Sequence, residues 1–470
     1  MINAEKFYKF FKNKKLQTTY SDILKNQITN YWKEKYNSFE DFKEKIDETI
    51  ANINKNSYYP NNNIIISYIS KNELNYREVF DIDPVDEIIF YYLVNEVMSS
   101  SFNEINRVPN TFGGYYKKGN IFAKLENKDI EKVDLEDPYH WFYHWKEFEK
   151  VIISKYRKNK FQYIARFDFS NFYDSIIIEK LIKRLREKAN NKVIEQIDLI
   201  EFYLKNWKNS ISKYQSNIVG LPQSTYGEAY RMLANFYIND YDIQVFKLCE
   251  KYKNEYARYS DDQLYFINDY RDSQSFFKSL NRIAKNHYLN FNYKSSLMTF
   301  ESFIDAEMIF EISSAKQELE LDPKFNKRLN LILEKIQINS KSKLFIRIYS
   351  ILNQINWNAD MDLKNLELCL QMISDFNVLK YCNKKSELKN LMLFFGKIFI
   401  NNEKKVFQKI NEIFWYIRYD PILQNLKDNF LYFKQEKAIN ERILNHCIIL
   451  IEEIIAKNIE DKKIEMELWD

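Results

Sequence analysis

The chain has 470 residues, 45% of them hydrophobic and 29% charged, with a net charge of +4 at pH 7. That balance excludes a disordered polymer and accommodates more than one hydrophobic core, while the mild basicity permits a polyanionic partner without demanding one. The four cysteines and four histidines show no metal-type spacing, no apolar run reaches membrane length and no signal-peptide pattern opens the chain, so a cytoplasmic protein with reduced Cys249, Cys369, Cys382 and Cys447 is expected.

Residues 1–63 read as a helical N-terminal extension in which aromatic and charged residues alternate without a chemical motif; it covers the core, binds RNA or mediates assembly. From residue 64 the string IIISYISKNELNYREVFDIDPVDEIIFYYL predicts a strand ending near Lys71, a polar turn, a second strand carrying Arg77 and a helix beginning near Val85 after Asp83 and Pro84. A point charge on Lys71 and a forked guanidinium on Arg77 can share a polyanion across such a hairpin. Taken alone, the two residues favour a plainer reading, as exposed strand cations unrelated to substrate.

Residues 106–120, NRVPNTFGGYYKKGN, hold three of the chain's six glycines, which implies a sharp turn or a close backbone approach. Basic stretches at 146–160 and 180–192 flank a strand, YIARFD, that ends at Asp168 and continues FSNFYDSI. Each stretch is a solvated helix face or a phosphate-contacting surface. Phe172 and Tyr173 suit a core, and 177–189 predicts a basic amphipathic helix. Residues 220–242 place a Gly-Pro turn before a helix whose apolar face is Ala229, Leu233, Phe236 and Tyr237.

Residues 255–269, EYARYSDDQLYFIND, predict a hairpin with Asp261 and Asp262 at its tip. Tyr256 and Tyr259 on one side, and Leu264 and Phe266 on the other, are read as period two. Two carboxylates in a turn are ordinary on their own. A helix over 276–290 and the string LNFNYKS, which contains Lys294, follow. From about residue 322 the pattern becomes serial amphipathic helices. Their stripes begin at Leu329 and Leu333, Ile348 and Leu352, Leu363 and Leu366, Leu388 and Met392, and Val406 and Ile410, with polar breaks such as 401–405. This predicts an all-α, solenoid-like C-terminal domain over 321–470.

The strand ending in Asp168, the GLPQ turn and helix, and the YSDD hairpin resemble motifs A, B and C of reverse transcriptases, in the same order. The resemblance spans about residues 64 to 300. It implies an α+β fold with right-hand polymerase fingers and palm over 64–320, followed by the helical domain. It also implies that Asp168, Asp261 and Asp262 are catalytic and bind two Mg2+ ions with the carbonyl of Phe169, Mn2+ substituting in vitro. Like charges about 4 Å apart repel by about 4 kcal/mol at an effective dielectric near 20, and divalent cations relieve such a cluster.

By the same resemblance Lys71, Arg77, Tyr173 and Gln223 contact the incoming dNTP. The Tyr173 ring excludes a ribose 2′-hydroxyl and Lys294 gives a proton to the leaving pyrophosphate. The chain departs from the family in having Ser224 where glycine is usual after the Gln, in lacking the usual Arg after its FGG segment, and in an Asn-to-Lys294 spacing off by one. With no ribonuclease H domain or Cys/His nuclease module, and a helical region after the palm, it is similar to the abortive-infection and "unknown group" bacterial reverse transcriptases that defend against phage. That implies a homo-oligomer without membrane contact, making DNA from dNTPs on an associated RNA, or untemplated and protein-primed. An RNA-binding defence scaffold with a vestigial polymerase fold and an RNA-synthesising palm polymerase are the alternatives.

Overall fold

The structure, a computed structural model, describes residues 2–10, 30–61, 63–72, 75–101, 108–113, 141–212, 220–224, 227–271, 273–293 and 295–307. In the C-terminal part it describes 363–373, 385–419 and 440–469, with single positions between 326 and 361 and between 423 and 430. Expectations for Cys382, His140 and Lys294 lie outside the described residues, as do those for the side chains of Lys71, Arg77 and His144.

In chain order the elements are α1 (Ala4–Phe10), α2 (Asn30–Lys35), α3 (Phe39–Asn54), β1 (Ile65–Asn72), β2 (Asn75–Asp81), α4 (Pro84–Ser101), β3 (Thr111–Phe112) and α5 (Trp141–Arg157). Then come β4 (Tyr163–Phe167), α6 (Ile178–Lys188), α7 (Ile194–Ser212), α8 (Glu228–Lys251), β5 (Glu255–Tyr259), β6 (Asp262–Ile267), α9 (Ser273–Asn286), β7 (Ser296–Thr299) and α10 (Phe300–Glu307). Helices α11 (Leu363–Ile373), α12 (Lys385–Tyr416) and α13 (Glu441–Trp469) close the chain. The fold is α+β and mostly helical, with a two-stranded sheet of β1 and β2 and a five-stranded sheet ordered β3-β5-β6-β4-β7. Among the described residues no helix is long and apolar enough to cross a membrane.

The chain divides into two compact units, one of Met1–Asn26, Asn30–Ile65 and Phe80–Phe303, the other of Gln27–Thr29, Ile66–Val79 and Ile304–Asp470. The first thus takes in the N-terminal helices. Phe7, Trp32, Phe42 and Ile46 are fully buried in the same core as α4, α7 and α8. Helix α4 is buried nearly all round, as its apolar and aromatic run over 88–94 dictates. Its start follows from Asp83 and Pro84: the Asp83 carboxylate accepts the Val85 N–H at 3.0 Å, and proline suits the first helical position.

That helix start carries a buried acidic cluster. Asp83 also accepts from the Tyr36 hydroxyl at 2.9 Å and pairs with Lys35 at 2.6 Å, and Tyr58 donates to Asp86. Burial, then the neighbouring Asp83 charge, pushes the Asp86 carboxyl up to about 7, and burial pushes that of Glu87 up to about 8. The N-terminal segment therefore supplies the donors that let α4 begin inside the core.

In the five-stranded sheet every pairing is antiparallel except that of β3 with β5. Both faces are covered. Tyr265 meets Phe276 of α9 on one, while on the other Phe266 meets Phe300 of α10 and Tyr259 meets Trp145 of α5. This corrects the expected side-chain pattern of the hairpin. Tyr256 and Tyr259 stand three residues apart on a period-two strand, so they occupy opposite faces, and Tyr256 stacks on Tyr265 at 5.1 Å.

In the second unit the apolar stripes form a core of their own, including Leu329, Leu352, Leu370, Met392, Ile410 and Ile451. Leu363 departs from expectation: as the first residue of α11 it is 73% exposed, and Cys369 and Met372 complete the buried face instead. The polar break expected at 401–405 is there, as a kink at which two helices meet within α12. The backbone leaves helical geometry at Asn402, whose side-chain amide donates to the Ile398 carbonyl at 3.0 Å. Cys249, Cys369 and Cys447 are free buried thiols; burial raises the first two to about 12, which leaves them unreactive.

Candidate active site

Strands β4 and β6 pair as far as Phe167 opposite Gln263, which leaves Asp168 and Asp262 as the next residues at that end of the ladder. Strands β5 and β6 close on the pair Tyr259 and Asp262, leaving Ser260 and Asp261 as a two-residue loop in which Ser260 takes a φ of +54°. The Asp168 carboxyl lies beside the side chains of Asp261, Asp262 and Asn292. The structure therefore brings Asp168, Asp261 and Asp262 to one corner, although the strand and the hairpin are far apart in sequence.

The hairpin tip is held from below by Arg258. Its buried guanidinium grips Asp242 of α8 through Nε at 2.9 Å and Nη2 at 2.7 Å, while Nη1 donates to Asn235 at 3.0 Å and to the Ser260 carbonyl at 2.6 Å. The Tyr256 hydroxyl donates to the same carboxylate at 2.9 Å. From the edge, β3 adds a parallel strand: the Ser260 N–H donates to the Phe112 carbonyl at 3.1 Å. Gly113 follows with a φ of +86°, and a Cβ there would stand 2.7 Å from the Ser260 Oγ. The close approach expected of the glycine-rich segment is thus an approach to the loop that carries Asp261.

On the other side of β4, the Asn292 N–H donates to the Asp168 carbonyl at 2.7 Å and the Ser170 N–H to the Asn290 carbonyl at 2.8 Å, bracketing the bridge between Phe169 and Phe291. This pattern turns the Phe169 carbonyl away from Phe291, toward the side on which β6 lies. The Phe169 ring is core, lying parallel to Phe291 with centroids 5.3 Å apart. Phe172 is buried and Tyr173 half-buried. The Gly-Pro turn lies directly on them. The Leu221 N–H donates to the Tyr173 carbonyl at 3.0 Å, and a Cβ on Gly220 would fall 2.0 Å from that oxygen, so only glycine fits. Gln223 is half-buried and its carbonyl accepts the Phe80 N–H at 2.9 Å. Ser224, the departure from the usual glycine, donates its hydroxyl to Glu87. Lys71 and Arg77 lie on β1 and β2.

Burial, and then the charge of Asp262, hold the Asp168 carboxyl above its ordinary range, against the opposing effects of Arg166, Asp261 and Asn292. Asp262 is engaged separately, by Arg166 Nη2 at 3.2 Å from its Oδ1, with both side chains about a third exposed (35% and 36%). Oxygen-only ligands suit a hard divalent cation that keeps part of its water shell. As the side chains stand, however, no group of three or more His, Cys, Asp or Glu among the described residues is arranged to hold a metal ion. The donor chemistry fits such an ion, and Asp262 is shared with Arg166.

Arg166, Asn292 and Arg258 were not singled out from sequence. Arg166 was legible, because it precedes Asp168 by two on a strand and so shares its face. Arg258 was not, because its partner lies on a helix whose orientation periodicity alone does not supply. No protein-family model matches this chain, and no curated protein matches it in sequence.

Proposed function

We propose that the corner of Asp168, Asp261 and Asp262 is the active site of a magnesium-dependent DNA polymerase of the reverse-transcriptase type. The observation that carries this reading is the convergence of Asp168, at the end of β4, with Asp261 and Asp262 at the tip of the neighbouring hairpin. The Gly220 turn seated on the Tyr173 backbone supports it, since the turn and the acids then belong to one assembly. Asp168, Asp261 and Asp262 would hold the ions, and the Phe169 carbonyl would add a neutral oxygen from the same side. Bound there, Mg2+ supplies activation of an attacking hydroxyl and neutralisation of a pyrophosphate leaving group. Arg258 and β3 keep the hairpin tip in place, and Tyr173 would pack under the nucleotide sugar.

The same resemblance assigns the synthesis to anti-phage defence, on an associated RNA or from a protein hydroxyl, with the C-terminal helices as a repeat-like scaffold in a homo-oligomer. A second reading, an RNA-binding scaffold with a vestigial site, is favoured by one observation: Arg166 engages Asp262.

Incorporation assays separate the two. The purified chain is expected to incorporate labelled dNTPs in Mg2+ in preference to NTPs, and the Asp261→Ala/Asp262→Ala double variant to lose incorporation and defence together; defence that survives the double variant overturns the enzyme reading. Tyr173→Ala is expected to relax discrimination against NTPs by about 10- to 100-fold, since one steric contact contributes about 1–3 kcal/mol of selectivity. Unchanged discrimination would remove Tyr173 from the nucleotide site.

A further inference from the structure

Two arginine–aspartate pairs flank β6, one on each face of the sheet, and they differ in kind. Arg258 and Asp242 are each 2% exposed and joined by two bonds. Such a pair is part of the architecture, because separating it would strand two buried charges. Arg166 Nη2 stands 3.2 Å from Asp262 Oδ1, and a third of each side chain meets solvent. A pair of that kind contributes little to stability and exchanges partners readily.

Its position gives the exchange a meaning. Arg166 pairs with Leu264 in the register, so its side chain and that of Asp168 leave β4 on one face, and the guanidinium crosses diagonally to Asp262. A cation held by Asp168, Asp261 and Asp262 competes with that guanidinium for the same carboxylate. Arginine keeps its charge at any physiological pH, so Asp262 is released by movement of the side chain and not by titration.

We propose that Arg166 is a resident counter-ion of the acid corner, displaced from Asp262 when a divalent cation arrives together with a nucleoside triphosphate. The inference rests on the nucleotidyl-transfer reading and adds a control to it. The guanidinium weakens loading by the ion alone. A triphosphate offsets this by lending oxygens to the ion and by offering the freed guanidinium an anionic acceptor. Ion loading is thereby coupled to substrate.

The test is a titration with Mn2+, following free Mn2+ by electron paramagnetic resonance, with and without a non-hydrolysable deoxynucleoside triphosphate. The wild-type chain is expected to take up Mn2+ weakly alone and more tightly with the nucleotide. Arg166→Met is expected to bind Mn2+ alone about 3- to 10-fold more tightly, the change corresponding to about 0.7–1.4 kcal/mol, and to show a smaller nucleotide effect. Arg166→Gln, a polar neutral replacement, should behave as Arg166→Met does, and Arg166→Lys should stay near wild type; melting curves verify that each variant folds. Equal or weaker Mn2+ binding by both neutral variants overturns the inference while leaving the nucleotidyl-transfer reading intact. A wild-type chain that takes up no Mn2+ under either condition removes that reading, and this inference with it.

Discussion

Replacing Asp168 by asparagine is expected to lower nucleotide incorporation by about a thousandfold or more and, in the same protein, to raise the melting temperature in buffer containing a chelator. The first effect follows from the proposed role. An ion held at the reacting oxygens supplies several kcal/mol of transition-state stabilisation, and each 1.36 kcal/mol is a factor of ten in rate. The second follows from the electrostatics. Burial and the Asp262 charge raise the Asp168 carboxyl above its unfolded range, so the folded chain binds its proton more tightly than the unfolded chain does. That contribution to stability is complete below the unfolded carboxyl range and is lost as pH rises through the raised folded value, leaving a penalty at neutral pH. Asparagine never ionises and escapes it. The two effects should part with pH: the gain in melting temperature is expected at neutral pH and should vanish in acid, where Asp168 is protonated in both states. Adding Mg2+ should raise the melting temperature of the wild-type chain and leave Asp168→Asn nearly unmoved. A variant that melts lower than wild type in chelator at neutral pH would show that Asp168 is held for structure instead.

What could be read from the sequence was what is local. The hairpin of β5 and β6, the strand leading to Asp168, the start of α4 at Asp83 and Pro84, and the apolar face of α8 all arise from short-range periodicity and turn chemistry. Among the described residues the stripe positions named above are buried as the 3.6-residue repeat predicts, apart from Leu363, the first residue of α11. What could not be read was pairing at a distance. Gly113 announced a close approach without saying to what, and the answer, Ser260, lies on another strand. The aromatic residues of the N-terminal helices carried no sign that Trp32 and Phe42 complete the core around α4. The Ser224 departure gained a partner only once Glu87, buried on α4, was seen beside it.

Arg258→Met is expected to destabilise the first unit by about 3–5 kcal/mol, because it leaves Asp242 buried, charged and without its bidentate partner. The Tyr256 hydroxyl and α8 stay in place, so the loss is one of electrostatics and not of packing volume; methionine fills much of the space of the arginine stem. Adding Asp242→Asn removes the stranded charge and should recover more than half of that loss in urea denaturation, since a buried ion pair replaced at both ends is commonly close to neutral. Incorporation should behave differently. Arg258 also donates to the Ser260 carbonyl at 2.6 Å, at the loop that presents Asp261, and neither methionine nor Asp242→Asn restores that bond. A carboxylate displaced by about 1 Å from its reacting geometry loses about a hundredfold in rate. The double variant is therefore expected to be folded, near wild type in stability and still about a hundredfold slow. A double variant that regained stability and rate together would show that the Ser260 contact is not what places Asp261, and that β3 alone positions the tip.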